Sequence, residues 1–353
     1  MKSKSSTIGI RYQPFSLEMR HVFTISGASR KTSPSVLVAL DFAGMTGYGE
    51  ASIPPYLGET TESVIRFLKK LDFVQFNSPF QFTEITDYVM NTVPGNFAAK
   101  ASVDIALNDL AGKIRGEPWF STMKINPMNT PYTSFTLGID SVSVISKKIN
   151  EAAPYRYIKV KLGSDSDKET ISCINSITAK PLVVDVNQGW EDKYKALDMI
   201  CWLAERGVIM VEQPLPAARM DDIAWLTRHS PLPVFADEAV QTIKDLDNIT
   251  GVYDGINIKL MKCGGMSAGL EMIREARKRG LSVMIGCMTE TSCAISAAAH
   301  LSPLCDMADL DGNLLITNDP FSGVLIEDGK IVLNNRPGIG VALRPGNFPV
   351  FKK

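Results

Sequence analysis

The feature that most constrains this chain is a series of short apolar runs in its second half, most of them carrying a charged residue at or near the end. They read FTLGI, YIKVKL, LVVDVN, IMVEQP, PVFADE, INIKL and SVMIG, and each is followed by a turn or a helix-like segment. Asp185, Glu212, Asp237 and Lys259 mark four successive runs and fall 22 to 27 residues apart, the length of one strand, loop and helix. Strands that are apolar on both faces must be covered on both faces, which predicts a parallel sheet. Seven or eight such α/β units fit a (β/α) barrel of the TIM type, whose functional residues stand at the C-terminal ends of the strands. A doubly wound open sheet is the main rival. It is expected to carry a glycine-rich phosphate loop after its first strand, and the sequence has none there. The CGG at Cys263 to Gly265 reads as a turn into the next helix, with an anion contact at that helix start as the alternative.

The first part of the chain has a different rhythm. Residues 7 to about 50 alternate apolar and polar in TIGIRYQPFSLEMRHVFTIS and SVLVALDFAGMTGYGEA, which predicts antiparallel strands. From Thr60 the spacing becomes helical, in TTESVIRFLKKL, FTEITDYVMNTV and the longer NFAAKASVDIALNDLAGKIRG, where Gly116 ends the run. Strands followed by helices predict a small α+β domain at 1–125, ahead of a barrel at 126–320. The segment 321–353, with GVLIEDGKIVLNNRPGIGVAL, reads as short strands and turns that fold back on the first domain.

Composition removes several classes of function. With 37 Lys and Arg against 38 Asp and Glu, the chain lacks the basic excess that nucleic-acid binding needs. No apolar run is long enough to cross a bilayer, and the basic start MKSKSSTIGIRYQPF has no apolar core or cleavage site, so a cytoplasmic protein is expected. The six cysteines show no CxxC pairing and fit reduced, mostly buried thiols. Three histidines are too few for a His-rich zinc site, so any metal here is a hard one held by carboxylates.

The chemistry-bearing residues stand where a buried barrel strand should have Val or Ile. Lys159 and Lys161 are two apart, so both ammonium groups point to one side, and their repulsion is expected to lower the proton affinity of each. The plain alternative is a solvated edge strand. Against it, Asp185, Glu212 and Asp237 occupy the ends of the next three runs, and three converging carboxylates call for a cation among them, which suggests Mg²⁺. Lys259 closes a further run and is expected to face Lys161 across the barrel mouth, placing a base on each side of whatever the metal holds. Lys262, three residues on, leaves the strand and reads as a helix-start or surface lysine.

KVK at Lys159 to Lys161, DVNQGW, EQP, ADE, KLMKCGG, and in the first domain GYGEA and ASVDIALNDLAGK, together resemble the enolase superfamily in its muconate-lactonizing subgroup. The resemblance covers nearly the whole chain and implies that the first domain, 1–125, is an α+β capping domain over the barrel. It implies one Mg²⁺ on Asp185, Glu212 and Asp237, acid/base roles for Lys161 and Lys259, and a substrate-steadying role for Lys159. It also implies proton removal next to a carboxylate through an enediolate, the chemistry for which this superfamily is a standard example.

Asp309 and Asp311, in CDMADLDGNLL, are two apart on the apparent eighth strand and can share one ammonium group. An Asx-rich turn at DLDG is the alternative. The dipeptide epimerases of the superfamily show the same DxD, so the resemblance implies a dipeptide such as L-Ala-L-Glu, bound at both ends, and a place in cell-wall peptide recycling. Arg30, in FTISGASRK, is a candidate partner for a substrate side-chain carboxylate, with a solvated loop arginine as the alternative. IPPYLGETT is a candidate lid, and Glu290 is a candidate to orient Lys259 or line the pocket. Cycloisomerisation of muconates, dehydration to o-succinylbenzoate and a non-catalytic carboxylate-binding barrel remain as rivals. The oligomeric state is left open, a homo-oligomer included.

Overall fold

The alternating residues form three antiparallel strands, β1 (Gly9–Ile25), β2 (Ala28–Phe42) and β3 (Met45–Ser52), paired in that order. The computed structural model describes residues 7–25, 28–140, 142–345 and 351, so the basic start at 1–6 and residues 26–27 of FTISGASRK lie outside the described residues. Three helices follow, α1 (Thr61–Leu68), α2 (Phe82–Thr92) and α3 (Phe97–Arg115), and α3 lies against β2 and β3. Every residue of α3 from Ala98 to Gly112 is buried, because the helix is held between this sheet and the segment after Lys259. The glycines of GYGEA permit that approach. A Cβ on Gly47 would lie 2.2 Å from the Ala106 carbonyl, and one on Gly49 would lie 1.9 Å from the Ser102 carbonyl. The next residue, Glu50, is buried and accepts the Thr291 backbone N–H and hydroxyl, which ties the sheet to the barrel.

Eight parallel strands form the second sheet: β4 (Phe135–Leu137), β5 (Ile158–Lys161), β6 (Leu182–Asp185), β7 (Val208–Glu212), β8 (Val234–Ala236), β9 (Gly255–Lys259), β10 (Ser282–Gly286) and β11 (Met307–Asp309). They lie side by side in chain order. A parallel bridge between Thr133 and Ala308 then joins the last strand to the residues entering the first, closing the ring. Helices connect the strands on the outside. The β8 to β9 connection is the exception, with only one-turn elements at Ile243–Asp245 and Leu246–Ile249. Sequence-local caps start two of these helices: Asp192 accepts the Tyr194 and Lys195 N–H groups, and Thr291 accepts that of Cys293.

Val183, Met210, Phe235 and Met284 pack together as a small apolar cluster contributed by β6, β7, β8 and β10. Gly255 belongs to the same layer, since a Cβ there would lie 2.5 Å from the Phe235 ring. With its apolar layer made by these residues, the barrel leaves its polar strand ends for the site. The CGG turn is a turn: Gly264 and Gly265 have φ of +99° and +123°. No anion site is formed there, because the Asp104 carboxylate accepts the Ser267 N–H at the start of the helix Met266–Lys278. The tail pairs Phe321–Ser322 with Ala342–Leu343, and its Gly338 carbonyl accepts the Trp119 N–H just beyond α3. No helix among the described residues is long and apolar enough to cross a membrane. All six cysteines are free, but only Cys263, Cys293 and Cys305 are buried, fewer than expected; Cys201 is exposed.

Candidate active site

Strand register builds the site. In the parallel ladder Lys161 pairs with Asp185, and Asp185 with Glu212, so three charged strand ends form one transverse row. On the other side of the ring Lys259 pairs with Gly286, and Gly286 with Asp309. Three strands separate β5 from β9 in each direction, which sets Lys161 and Lys259 on opposite sides of the mouth. Lys159, Lys161, Lys259, Asp309, Asp311 and Arg30 all line one cleft of about 530 Å³, together with Tyr56, Thr136, Asn187 and Thr289.

Lys159 and Lys161 do point the same way, since both ammonium groups reach Asp185 Oδ2, at 3.0 and 2.6 Å. The expected loss of proton affinity is not found at Lys159. Burial opposes its charge, but Asp185, Asp309 and Glu212 outweigh burial and hold its pKa well above the ordinary lysine value. Lys159 Nζ lies 2.7 Å from both Glu212 Oε2 and Asp309 Oδ2. Lys259 is likewise held charged, against burial, by Asp237 at 2.7 Å. Lys262 leaves the strand for a helix start, as expected, but it is not a surface lysine. It is buried, and the one-turn helix Leu260–Cys263 folds it back so that its Nζ reaches Asp237 Oδ1 at 2.5 Å.

Oxygens of Asp185, Glu212 and Asp237 lie within 4.8 Å of one another, and all three residues are buried. Burial and the neighbouring Asp185 push the Glu212 carboxyl up to about 7. Asp185, although buried, is drawn down to about 2 by Lys159 and Lys161, and Asp237 is drawn well below the usual carboxylate range by Lys259 and Lys262. Four ammonium groups thus already relieve the repulsion that the sequence reading assigned to a cation. The geometry argues for a metal on other grounds, because a compact all-carboxylate donor set without His or Cys suits a hard divalent ion.

Asp309 ends β11, and its Oδ1 accepts the Ser134 hydroxyl at 2.6 Å. Asp311 lies beyond the strand, at the start of a one-turn element, rather than on it. Its carboxylate crosses to the Thr136 N–H on β4 at 2.6 Å, so it does not serve as a local turn cap. Burial and Asp309 push its pKa up to about 7. Arg30 is half-buried, donates to the Thr289 hydroxyl at 3.2 Å and has no carboxylate partner among the described residues. Glu290 is buried, its Oε1 accepts the Met288 N–H, and its carboxyl interacts electrostatically with Lys259, whose ammonium is hydrogen-bonded to Asp237.

Ser134, Thr136 and Asn257 escaped sequence reasoning. The first two carry no charge to mark them. Asn257 had a signal, because it sits two residues before Lys259 on an otherwise apolar strand; its amide donates to Glu212 Oε1 at 2.7 Å.

Fold and site together define a capped β/α-barrel enzyme of eight parallel strands, with a carboxylate cluster set between lysine-bearing strands. Residues 145–347 match the family described as Enolase C-terminal domain-like, and residues 11–122 match the Mandelate racemase / muconate lactonizing enzyme, N-terminal domain. The chain belongs to the enolase superfamily. It is 55% identical over 312 residues to the L-Ala-D/L-Glu epimerase of Bacteroides thetaiotaomicron, covering 88% of this chain and 82% of that protein. To the L-Ala-D/L-amino acid epimerase of Pedosphaera parvula it is 41% identical, covering 90% of this chain and 94% of that one. A solved structure of a dipeptide epimerase from Enterococcus faecalis, complexed with Mg and the dipeptide L-Leu-L-Tyr, superimposes with a TM-score of 0.89 at 28% identity, covering 95% of this chain and 99% of that chain.

Proposed function

We propose that the protein is a Mg²⁺-dependent dipeptide epimerase, an isomerase that inverts the C-terminal α-carbon of a substrate such as L-Ala-L-Glu by proton transfer between two lysines. The observation that carries this reading is a cleft with Lys161 and Lys259 on opposite sides and the Asp309/Asp311 pair in the same wall system. Such a cleft suits a molecule with an ammonium group at one end and an α-carboxylate at the other. The relatives named for L-Ala-D/L-Glu and L-Ala-D/L-amino acid pairs support it.

Asp185, Glu212 and Asp237 would hold one Mg²⁺ per chain, whose charge would neutralise that developing on the substrate carboxylate when the neighbouring carbon loses its proton. The chain's own residues do the rest. Asp309 and Asp311 receive the substrate ammonium, with Lys159 holding Asp309 in place. In one direction Lys161 Nζ takes the α-proton from one face while Lys259 Nζ gives a proton to the other; in the reverse direction the two exchange roles. Arg30, a half-buried cation without a carboxylate partner among the described residues, pairs with the glutamate side chain. Tyr56, in the cleft lining, excludes water when substrate is bound. A cytoplasmic location is supported by six free cysteines, and a role in recycling cell-wall peptides by the L-Ala-D/L-Glu pair in the relative's name.

The test is proton NMR in D₂O with Mg²⁺ and L-Ala-L-Glu beside other L,L-dipeptides. The proposal expects loss of the C-terminal α-proton signal together with a new diastereomer, fastest for L-Ala-L-Glu. Absence of exchange across the panel would move the cycloisomerase and dehydratase readings ahead.

A further inference from the structure

The two oxygens of each clustered carboxylate keep different company. One oxygen of each is held by a donor other than the three cleft lysines. Asp185 Oδ1 accepts the Asn187 backbone N–H at 3.0 Å, Glu212 Oε1 the Asn257 amide at 2.7 Å, and Asp237 Oδ1 the Lys262 ammonium at 2.5 Å. The other oxygen meets a cleft lysine: Asp185 Oδ2 with Lys161, Glu212 Oε2 with Lys159, and Asp237 Oδ2 with Lys259.

The pinning donors are built into the barrel. Asn257 is fully buried beside Gly286, where a Cβ would lie 2.4 Å from its Oδ1. That Oδ1 has no partner among the described residues, so the side chain's polar contact is directed to Glu212. Lys262 is buried and absent from the cleft lining. Its ammonium reaches three acceptors, Asp237 Oδ1, the Asp237 carbonyl at 2.6 Å and the Asn257 carbonyl at 3.1 Å, which matches its three donors.

We infer that the Asn187 N–H, Asn257 and Lys262 restrict each carboxylate to a single coordinating oxygen, and that this makes the site selective for a small octahedral cation over Ca²⁺. The inference rests on the reading of Asp185, Glu212 and Asp237 as metal ligands, and goes beyond it to how the ion is chosen. Mg²⁺ demands near-octahedral geometry and few carboxylates, whereas Ca²⁺ gathers more oxygens by taking carboxylates in bidentate fashion. The lysines on the other oxygens line the cleft, where solvent and substrate can receive them, whereas Lys262 has all three donors committed inside the barrel, so drawing Asp237 Oδ1 to the ion would strand its charge, which is costly. Three single oxygens would leave room on a six-coordinate ion for other ligands. Asn257 and Lys262 are thus positioning residues that touch neither substrate nor reacting atoms.

The experiment is calorimetric titration of metal-free, full-length protein with Mg²⁺ and with Ca²⁺, without substrate, for the wild type, Asn257→Leu and Lys262→Met. The wild type is expected to bind Mg²⁺ more tightly than Ca²⁺. In each variant that preference should fall about tenfold or more, the scale on which groups behind metal ligands act. Lys262→Met risks misfolding, which a melting curve reveals; Asn257→Leu keeps the number and branching of side-chain heavy atoms, loses the hydrogen bond to Glu212 Oε1 and, once its own melting curve shows it folded, carries the test by itself. An unchanged preference in a folded Asn257→Leu overturns the inference, as does a wild type that binds Ca²⁺ as tightly as Mg²⁺, and either leaves the epimerase reading standing. A wild type that binds neither ion overturns the metal reading as well, a failure distinct from the first two.

Discussion

Replacing Arg30 by Met should separate recognition of the glutamate side chain from the chemistry at the α-carbon. Arg30 is half-buried, its burial disfavours its charge, and Thr289 is its side-chain partner; no carboxylate lies within ion-pair distance among the described residues. A substrate carboxylate arriving there gains a charge-assisted hydrogen bond worth about 1.5–3 kcal/mol. Its loss lowers kcat/KM for L-Ala-L-Glu by about 10- to 150-fold. L-Ala-L-Met, which offers the guanidinium no charge, should keep its kcat/KM within about threefold, because the methionine stem preserves most of the packing. Rates of α-proton exchange followed by NMR supply both numbers in one experiment. Equal losses for the two substrates would refute the reasoning, since they would show Arg30 acting on the site as a whole rather than on the side chain.

Two further outcomes follow from the same geometry. The Asp311 carboxyl is pushed up to about 7 by burial and Asp309, so it is protonated below that pH and cannot receive an ammonium group. The acid limb of kcat/KM, which reports the free enzyme, should therefore fall as pH drops below about 7, and Asp311→Asn should lower the plateau and remove that limb; an unaltered limb would assign it elsewhere. Gly49→Ala places a Cβ 1.9 Å from the Ser102 carbonyl, and overpacking of this kind costs about 1–3 kcal/mol or more, to be read as a lowered midpoint in urea denaturation.

The sequence displayed the barrel because its strands are short, apolar and evenly spaced, and it displayed the site because charges interrupt them at one end. Period-two alternation correctly placed Lys159 and Lys161 on one side, and both reach Asp185. What it could not display is the company those lysines keep. Neighbours in sequence suggested mutual repulsion, whereas three carboxylates from β6, β7 and β11 surround Lys159. Lys262 stands at a helix start, as its place after the strand suggests, but not at the surface: α3 covers this one-turn helix, and the side chain reaches inward to Asp237. The contact between Arg30 and Thr289 joins positions 259 residues apart, and no local pattern encodes it. Glu290 shows the converse, a carboxylate near the site in sequence whose hydrogen bond goes to its own loop.

The central claim is that Lys161 and Lys259 each serve one face of the α-carbon. It is tested most directly by following α-proton exchange into D₂O for L-Ala-L-Glu and L-Ala-D-Glu separately, in Lys161→Ala and Lys259→Ala, with Mg²⁺ present. Epimerisation should vanish in both variants, while each still exchanges the α-proton of one diastereomer, and the two variants should retain opposite ones. Retention of the same diastereomer by both, or undiminished epimerisation in either, would contradict the two-lysine account.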